Sequence, residues 1–577
     1  MDKISRFNVV HRYERRSLLV AINCVGSLAI FFFGYDQGMM GSVNVSIDYA
    51  VHRMKFGHVQ PGTTQVIVDN TLLQGGITSV YYLGCLVGCM VGGWIAEKVG
   101  RIKVIALGSI WGVFGASLQC SAMNADWMIC ARLINGIGTG MLNVIVPVWS
   151  TETAPHTSRG MFVSVEFFLN IFGVVVAYWL GFGCSYVGGG YSSFVWRFPV
   201  AFQIIPLLFL FVIVWFFPES PRWLVKIGRE DEARYILGRL RGESGNDDLA
   251  EAEFQDIRNV AELEKKSGKL NSYFHMLWDV MPKAIGGGSS GALHIGRRVQ
   301  LVIWLQILQE WIGIAGVTIY ANDIFRQAGY SGQKARWIAG LNDITYMFST
   351  LIAIFTLDRL GRRISLYWGA IVMGISMFLA GGLSRGAISH PDKAANYGAA
   401  AASFTFIFTA GFGATWLTIP WLYPAEIFPL QIRAKGNAWG VVGWCIGNGW
   451  TVLLLPTMFS RINEKVFYIF GAVNFLTIPI VWALYPESNQ RTLEEMDLLF
   501  ASDSWWNWDA ESNFARLREE NPELVQAAHR GGSVVDPETG IRRKSARGPS
   551  LVPGGGEVGV GEGSEDSDEK REVEVKE

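Results

Sequence analysis

Twelve runs of about 20 mostly apolar residues, arranged as two sets of six, constrain this chain more than any other feature. Such a run matches the thickness of a bilayer's hydrocarbon core. Its backbone polar groups must be satisfied inside the segment, which leaves the α-helix as the spanning form. The first set lies at roughly 18–40, 72–96, 103–122, 127–149, 160–183 and 196–217. After a long polar stretch the second set follows at roughly 299–322, 336–357, 364–386, 400–424, 434–457 and 466–486. Charged residues are only 17% of the chain, against about a quarter in ordinary soluble proteins, so solvated surface is scarce. The expected fold class is an all-α membrane protein of twelve transmembrane helices in two six-helix halves. The first run is no cleaved signal peptide: it is too long, it contains Asp36 and it lacks a small-residue cleavage site.

Lysine and arginine in short loops set the orientation. Arg12, Arg15 and Arg16 precede the first span, Lys98, Arg101 and Lys103 join spans 2 and 3, and Arg359, Arg362 and Arg363 join spans 8 and 9. Both termini are therefore expected in the cytoplasm. The organisation reads as an N-terminus (1–17), a first half (18–217), a linker with short helices (218–298), a second half (299–486) and a tail (487–577). In the linker, Glu230 to Arg241 and Ala250 to Lys266 carry apolar residues at helical spacing, and 286–291 is a flexible Gly/Ser stretch. The tail is polar, then Gly-, Glu- and Ser-rich, and too poor in apolar residues to order most of itself. Asn44-Val45-Ser46 is a candidate glycosylation sequon at Asn44 on the opposite side, close to the membrane.

Several function classes fall away. A net charge of −1 offers no basic stripe for nucleic acid. The seven cysteines form no C-x-x-C, and no histidine pair accompanies them, so no metal site or cofactor is expected. Cys85 and Cys89 share a helix face but read as small buried hydrophobes. All eight histidines fall in termini or loops without a Ser-His-acid grouping, so an enzyme is not expected.

The halves repeat one another. Glu152-x6-Arg159 after span 4 matches Glu426-x6-Arg433 after span 10. The Glu97-to-Arg101 segment after span 2 matches the Asp358-to-Arg363 segment after span 8, and Pro218-Glu219-Ser220 matches Pro486-Glu487-Ser488. Three matched pairs at equivalent places argue for a duplicated six-helix unit around a central cavity.

These motifs, with Phe33-Gly-Tyr-Asp36-Gln-Gly, Arg132-x3-Gly136-x-Gly138-x-Gly140 and Pro218-Glu-Ser-Pro-Arg-Trp-Leu224, resemble the sugar porter family of the major facilitator superfamily over about residues 15–500. The likeness is strongest to its fungal proton-coupled sugar and polyol symporters. It implies that Asp36 and Arg132, charges inside predicted spans, face each other and couple protons to transport; intramembrane charges are functional candidates by default. It implies that Glu97, Arg101, Glu152, Arg159, Asp358, Arg362, Arg363, Glu426 and Arg433 form a salt-bridge network at the cytoplasmic helix ends that gates the cavity.

For the substrate site the resemblance implies contacts from Gln306, Gln309, Glu310, Trp421 and Asn448, with Phe167 at a position where the family has glutamine. Departures are concentrated here. Glu310 replaces a glutamine, Ala315 an asparagine, and Trp444 a polar residue on span 11. Fewer amides mean weaker discrimination of a full hexose hydroxyl pattern. The expected function is a monomeric, multi-pass plasma-membrane symporter that moves protons and a neutral sugar or polyol. A porter of a less polar glycoside or metabolite and a non-transporting nutrient receptor stand as alternatives.

Overall fold

The computed structural model describes residues 8–61, 65–154, 159–241, 294–327, 332–429, 432–489, 493–500 and 504–520, with scattered positions within 250–276 and residues 330 and 491. The Gly/Ser stretch at 286–291, most of the second expected linker helix, and residues 532–577, which form a unit of their own, lie outside the described residues.

Among the described residues twelve helices are long and apolar enough to span a membrane. In the first half they are α1 (Arg15–Val43), α2 (Thr71–Val99), α3 (Arg101–Cys120), α4 (Ala125–Thr153), α5 (Ser164–Cys184) and α6 (Phe194–Phe216). In the second they are α7 (Ile295–Ile319), α8 (Gly332–Leu357), α9 (Arg362–Ser389), α10 (Pro391–Ile427), α11 (Lys435–Ile462) and α12 (Lys465–Leu484). Each overlaps its expected run, and most extend a turn beyond it, because capping residues and short polar ends continue the helix past the apolar stretch. A helix also covers Glu230–Arg241 as expected. Beyond α12 the helices Leu493–Phe500 and Asn507–Glu520 add order to the start of the tail. A two-stranded hairpin, β1 (Gly57–Val59) with β2 (Val66–Val68), connects α1 to α2.

Small residues let the helices of the first half approach closely, the usual packing mode where lipid provides no hydrophobic drive between helices. The Gly-x-Gly-x-Gly run of α4 is an example. A Cβ at Gly136 or Gly140 would sit 2.2 Å from the Tyr81 or Cys85 carbonyl oxygen of α2, and one at Gly138 would sit 2.5 Å from the Gly112 nitrogen of α3. The run is a packing surface on two sides of α4. The halves then meet along α2 with α11 and α5 with α8.

Two spanning helices of the second half are interrupted near their middles. In α7 the helix widens to a π-turn over Glu310–Ile314, where Gly313 takes φ +115°, a conformation that favours glycine. In α10 the regular helix stops at Ala414 and resumes at Ile419. Such breaks free backbone carbonyls at membrane depth, and neighbouring side chains must satisfy them.

Candidate functional site

Each half carries the same cage of charge at the end of the bundle where α1 begins and α12 ends. In the first half Arg101 Nε and Nη2 donate to the two oxygens of Glu152, each at 2.9 Å. Glu219 sits at the start of α3 and accepts from the backbone N–H of Arg101 (2.8 Å) and of Ile102 (3.2 Å). In the second half Arg362 grips Glu426 at 3.2 and 2.5 Å, and Glu487 accepts from the N–H groups of Arg362 and Arg363, both at 2.9 Å.

The duplication reaches the supporting bonds. Trp149, three residues before Glu152, donates its indole N–H to Pro218 O at 3.1 Å, and Tyr423, three before Glu426, donates its hydroxyl to Pro486 O at 3.2 Å. Gly100 and Gly361 precede the two arginines with φ of +102° and +88°, so each loop turns sharply under its carboxylate. A carboxylate at a helix N-terminus meets unpaired N–H groups and the positive end of the helix dipole. Burial pushes the Glu219 carboxyl up, against the pull of the N–H groups of Ser220 and Arg101 and of the guanidinium.

The partners differ from those the Glu-x6-Arg spacing suggests. Glu152 bonds Arg101 and Glu426 bonds Arg362, while the side chains of Arg159 and Asp358 lie outside the described residues. Arg433 opens the helix that carries α11. Glu97 crosses to the other half, where Lys435 meets it at 3.0 Å. Glu219, Glu487 and Lys435 were not among the expected site residues; the repeated Pro-Glu-Ser was the available signal for the first two.

At the other end the halves also touch. Tyr178 of α5 donates to the Arg336 carbonyl of α8, and its oxygen lies 2.9 Å from Asn322 Oδ1. Asn322 Nδ2 donates to Gly41 O (3.1 Å), and Arg336 donates to Val45 O (3.3 Å). Asn44, the expected glycosylation position, is here only 5% exposed, and its burial leaves a glycan no room in this conformation.

Between these contacts lies a cavity of about 520 Å³, part of it continuous with solvent. Of the expected substrate residues it brings together Gln309, Glu310, Trp421, Asn448 and Phe167. Gln306 stands outside the lining. The reason is visible in α10, where Pro424 has no N–H to give to the Pro420 carbonyl four residues back. Gln306 Nε2 supplies that bond at 3.0 Å. Gln309 Nε2 similarly donates to Trp416 O (2.7 Å) and Leu417 O (3.1 Å) in the interrupted part of α10. Gln309 therefore keeps only its Oε1 acceptor for a ligand, and that atom has no protein partner. Glu310 packs against Gly447 of α11, beside Asn448 in the lining.

The walls are more aromatic than the sequence motifs suggested. Trp421 packs against Phe167 (5.4 Å between ring centres), Trp444 (5.9 Å) and Phe33 (6.4 Å), and Trp444 packs edge-on against Tyr82 (5.2 Å). Phe33, Tyr82 and Trp444 come from α1, α2 and α11, and nothing in their spacing along the chain announces that they meet.

One helix face away from the cavity, Asp36 of α1 and Arg132 of α4 form a buried pair, 0% and 2% exposed, with Arg132 Nη1 at 3.3 Å from Asp36 Oδ1. Arg132 also lies over the Tyr81 ring, 4.5 Å from its centre. Asp36 Oδ2 has no hydrogen-bond partner. The next residue, Gln37, lines the cavity.

Twelve spanning helices in two duplicated halves, a cavity between them and matching charge cages at one end define a membrane transporter of the major facilitator fold. Residues 22–500 match the model of the family described as "Sugar (and other) transporter", and the chain belongs to that family. It is 32% identical over 489 residues to the MFS-type transporter oryC of Aspergillus oryzae, covering 84% of this chain and 85% of that protein. It is 31% identical over 477 residues to the sugar transporter STL1 of Saccharomyces cerevisiae, covering 81% and 79%. Among solved structures, the proton:xylose symporter XylE bound to 6-bromo-6-deoxy-D-glucose matches with a TM-score of 0.67 and 24% identity over 84% of this chain and 99% of that one. At that identity the likeness speaks for the fold. The family and these relatives are transporters rather than enzymes.

Proposed function

We propose that this chain is a proton-coupled symporter that imports a neutral sugar or polyol across the plasma membrane by alternating access, with both termini in the cytoplasm. The Asp36–Arg132 pair carries this reading. A fully buried ion pair is held at a desolvation cost of several kcal/mol per ion, so it is costly to keep unless it is used. Protonating Asp36 removes its attraction for Arg132 and lets α1 move relative to α4. Gln37 places the same turn of α1 in the cavity wall, so substrate and proton act on one helix. The Glu97–Lys435 bridge holds the cytoplasmic side shut until both ligands are bound, and the duplicated charge cages keep each half a rigid body as it moves. A substrate hydroxyl donates to Gln309 Oε1, Asn448 and Glu310 contribute further polar contacts, and Trp421 stacks on the apolar face of a ring. The test is accumulation of labelled sugar or polyol in cells: Asp36→Asn abolishes concentration against a gradient while leaving the protein at the surface. Unchanged accumulation rules the pair out as the coupling site.

The aromatic walls favour a second reading, a larger and less polar substrate such as a glycoside. Seven aromatic side chains line the site, and the Gln309 amide nitrogen is committed to α10. Competition by alkyl glycosides against the free sugar separates the two readings.

A further inference from the structure

Asp343 of α8 is buried within the membrane-spanning part of the bundle, 1% exposed, and neither carboxyl oxygen has a hydrogen-bond partner. Its neighbour Asn342 is equally buried and likewise unpaired at both side-chain atoms. Arg336, Gly340 and Asp343 follow one another at helical spacing, so they share the face of α8 that packs on α5. The first two confirm that direction: the Arg336 carbonyl takes the Tyr178 hydroxyl, and a Cβ at Gly340 would lie 2.9 Å from the Trp179 ring. Asp343 thus sits at the seam between the halves, about two turns from the Tyr178–Arg336 contact that closes the face opposite the charge cages.

The groups around it do not neutralise a charge. From α5 the titratable group next to the Trp179 contact is Tyr178, whose oxygen is engaged by Asn322 and Arg336, while Glu166 and Cys184 stand at the two ends of that helix. On α8 itself Tyr346 lies one turn away and the Arg336 guanidinium, two turns away, donates to Val45 O, and the part of α10 over Ala394–Ala414 carries only Tyr397. Arg326 of the helix Ala321–Gln327 donates to Val66 O, and the arginines of α9 (Arg362, Arg363 and Arg385) stand at the ends of that helix. An ionised carboxylate with no cation and no donor at membrane depth is one of the costliest arrangements a protein can hold, and the group takes a proton instead.

We propose that Asp343 is a second proton-binding site, separate from the Asp36–Arg132 pair and occupied whenever the α5–α8 seam is closed. Opening the seam wets the carboxyl and lets its proton leave to the outside. Closing it over a substrate requires the proton back. This rests on the symport reading for its role in transport, but proton occupancy is measurable without any substrate.

The experiment is infrared spectroscopy of the full-length protein in lipid vesicles at neutral pH, using the proton itself as the probe. The difference between wild type and Asp343→Asn is expected to show loss of one protonated-carboxyl C=O band, and Asp36→Asn is expected to retain that band. Asp343→Ser reads the same band should the asparagine variant fail to fold, and Asp343→Glu shifts it. Loss of carboxylate bands in place of the C=O band overturns the proposal. Failure of the symport reading appears elsewhere, as unchanged accumulation in Asp36→Asn, and leaves this band untouched.

Discussion

Arg101 holds Glu152 by two near-parallel hydrogen bonds of 2.9 Å, and Arg362 holds Glu426 in the equivalent place of the other half. Neither pair crosses between the halves. What each does is fix the end of α4 or α10 to the start of α3 or α9, so that each half moves as a body. Only Glu97–Lys435 spans the gap at this end among the salt bridges described.

Removing one partner of a buried pair strands the other charge, at a cost of about 3–5 kcal/mol. Glu152→Gln is therefore expected to lower thermal stability and cut transport severely, with Arg101→Gln no better. In contrast Lys435→Gln, at a partly exposed bridge, is expected to cost under about 1 kcal/mol of stability. Its effect appears instead as a population shifted toward the state open at the face of the charge cages, measured by cysteine accessibility in the cavity. Equal loss of stability in both variants contradicts this division of labour.

Glu310 sits in the cavity wall with Asn448. Glu310→Gln keeps the shape and restores an amide donor. Apparent affinity for polyhydroxylated substrates is expected to rise or hold within a few-fold, while Glu310→Ala lowers it about tenfold, the value of a charged hydrogen bond of about 1.5 kcal/mol or more. Competition binding measures both. No change in affinity or substrate preference in either variant removes Glu310 from the site.

Gly313 has φ +115°, and a Cβ there would lie 2.8 Å from the Phe470 ring. Gly313→Ala is expected to cost about 1–3 kcal/mol from backbone strain, plus the displacement of Phe470. The π-turn it belongs to bends α7 beside Glu310, so turnover falls more than affinity does. A stability and turnover equal to wild type, read by thermal unfolding and initial rates, contradicts a hinge at this position.

Asp48, in the connection after α1, accepts from Trp196 Nε1 at 2.8 Å and Ser193 Oγ at 2.7 Å. Burial works to raise its carboxyl, but these bonds and Arg53 outweigh it and hold the group below its ordinary value of 3.8. A lowered folded-state value means the stabilisation is full above the unfolded value and lost as pH falls through the folded one. The connection is expected to stay anchored at pH 5 and to loosen only below about pH 4, with Asp48→Asn loosened at every pH. Hydrogen exchange over 44–56 measures this; release already at pH 6 contradicts it.

The twelve spans were legible because apolar length is a local property and membrane depth forces one backbone solution on it. Asp36 and Arg132 were legible because charge inside such a run has few other uses. The family motifs also located Glu310, Trp421 and Asn448 in one place. The aromatic enclosure was not legible: Phe33, Tyr82 and Trp444 are ordinary membrane residues until three helices bring them together. The role of Gln306 was hidden for a different reason. Its partner is a carbonyl orphaned by Pro424, and the break in α10 that puts it within reach is a tertiary fact. The Glu-x6-Arg repeats marked the right glutamates but not their partners, because the arginine that reaches Glu152 comes from the start of the preceding helix, α3.

The central claim is that the Asp36–Arg132 pair couples proton entry to substrate entry. It is tested most directly by recording extracellular pH in lightly buffered cells that express the chain, while sugars, polyols and alkyl glycosides are added singly. Alkalinisation with at least one compound, abolished by Asp36→Asn at equal surface expression, is the predicted result. Labelled uptake of such a compound with no accompanying pH change, or alkalinisation that persists undiminished in Asp36→Asn, contradicts the claim.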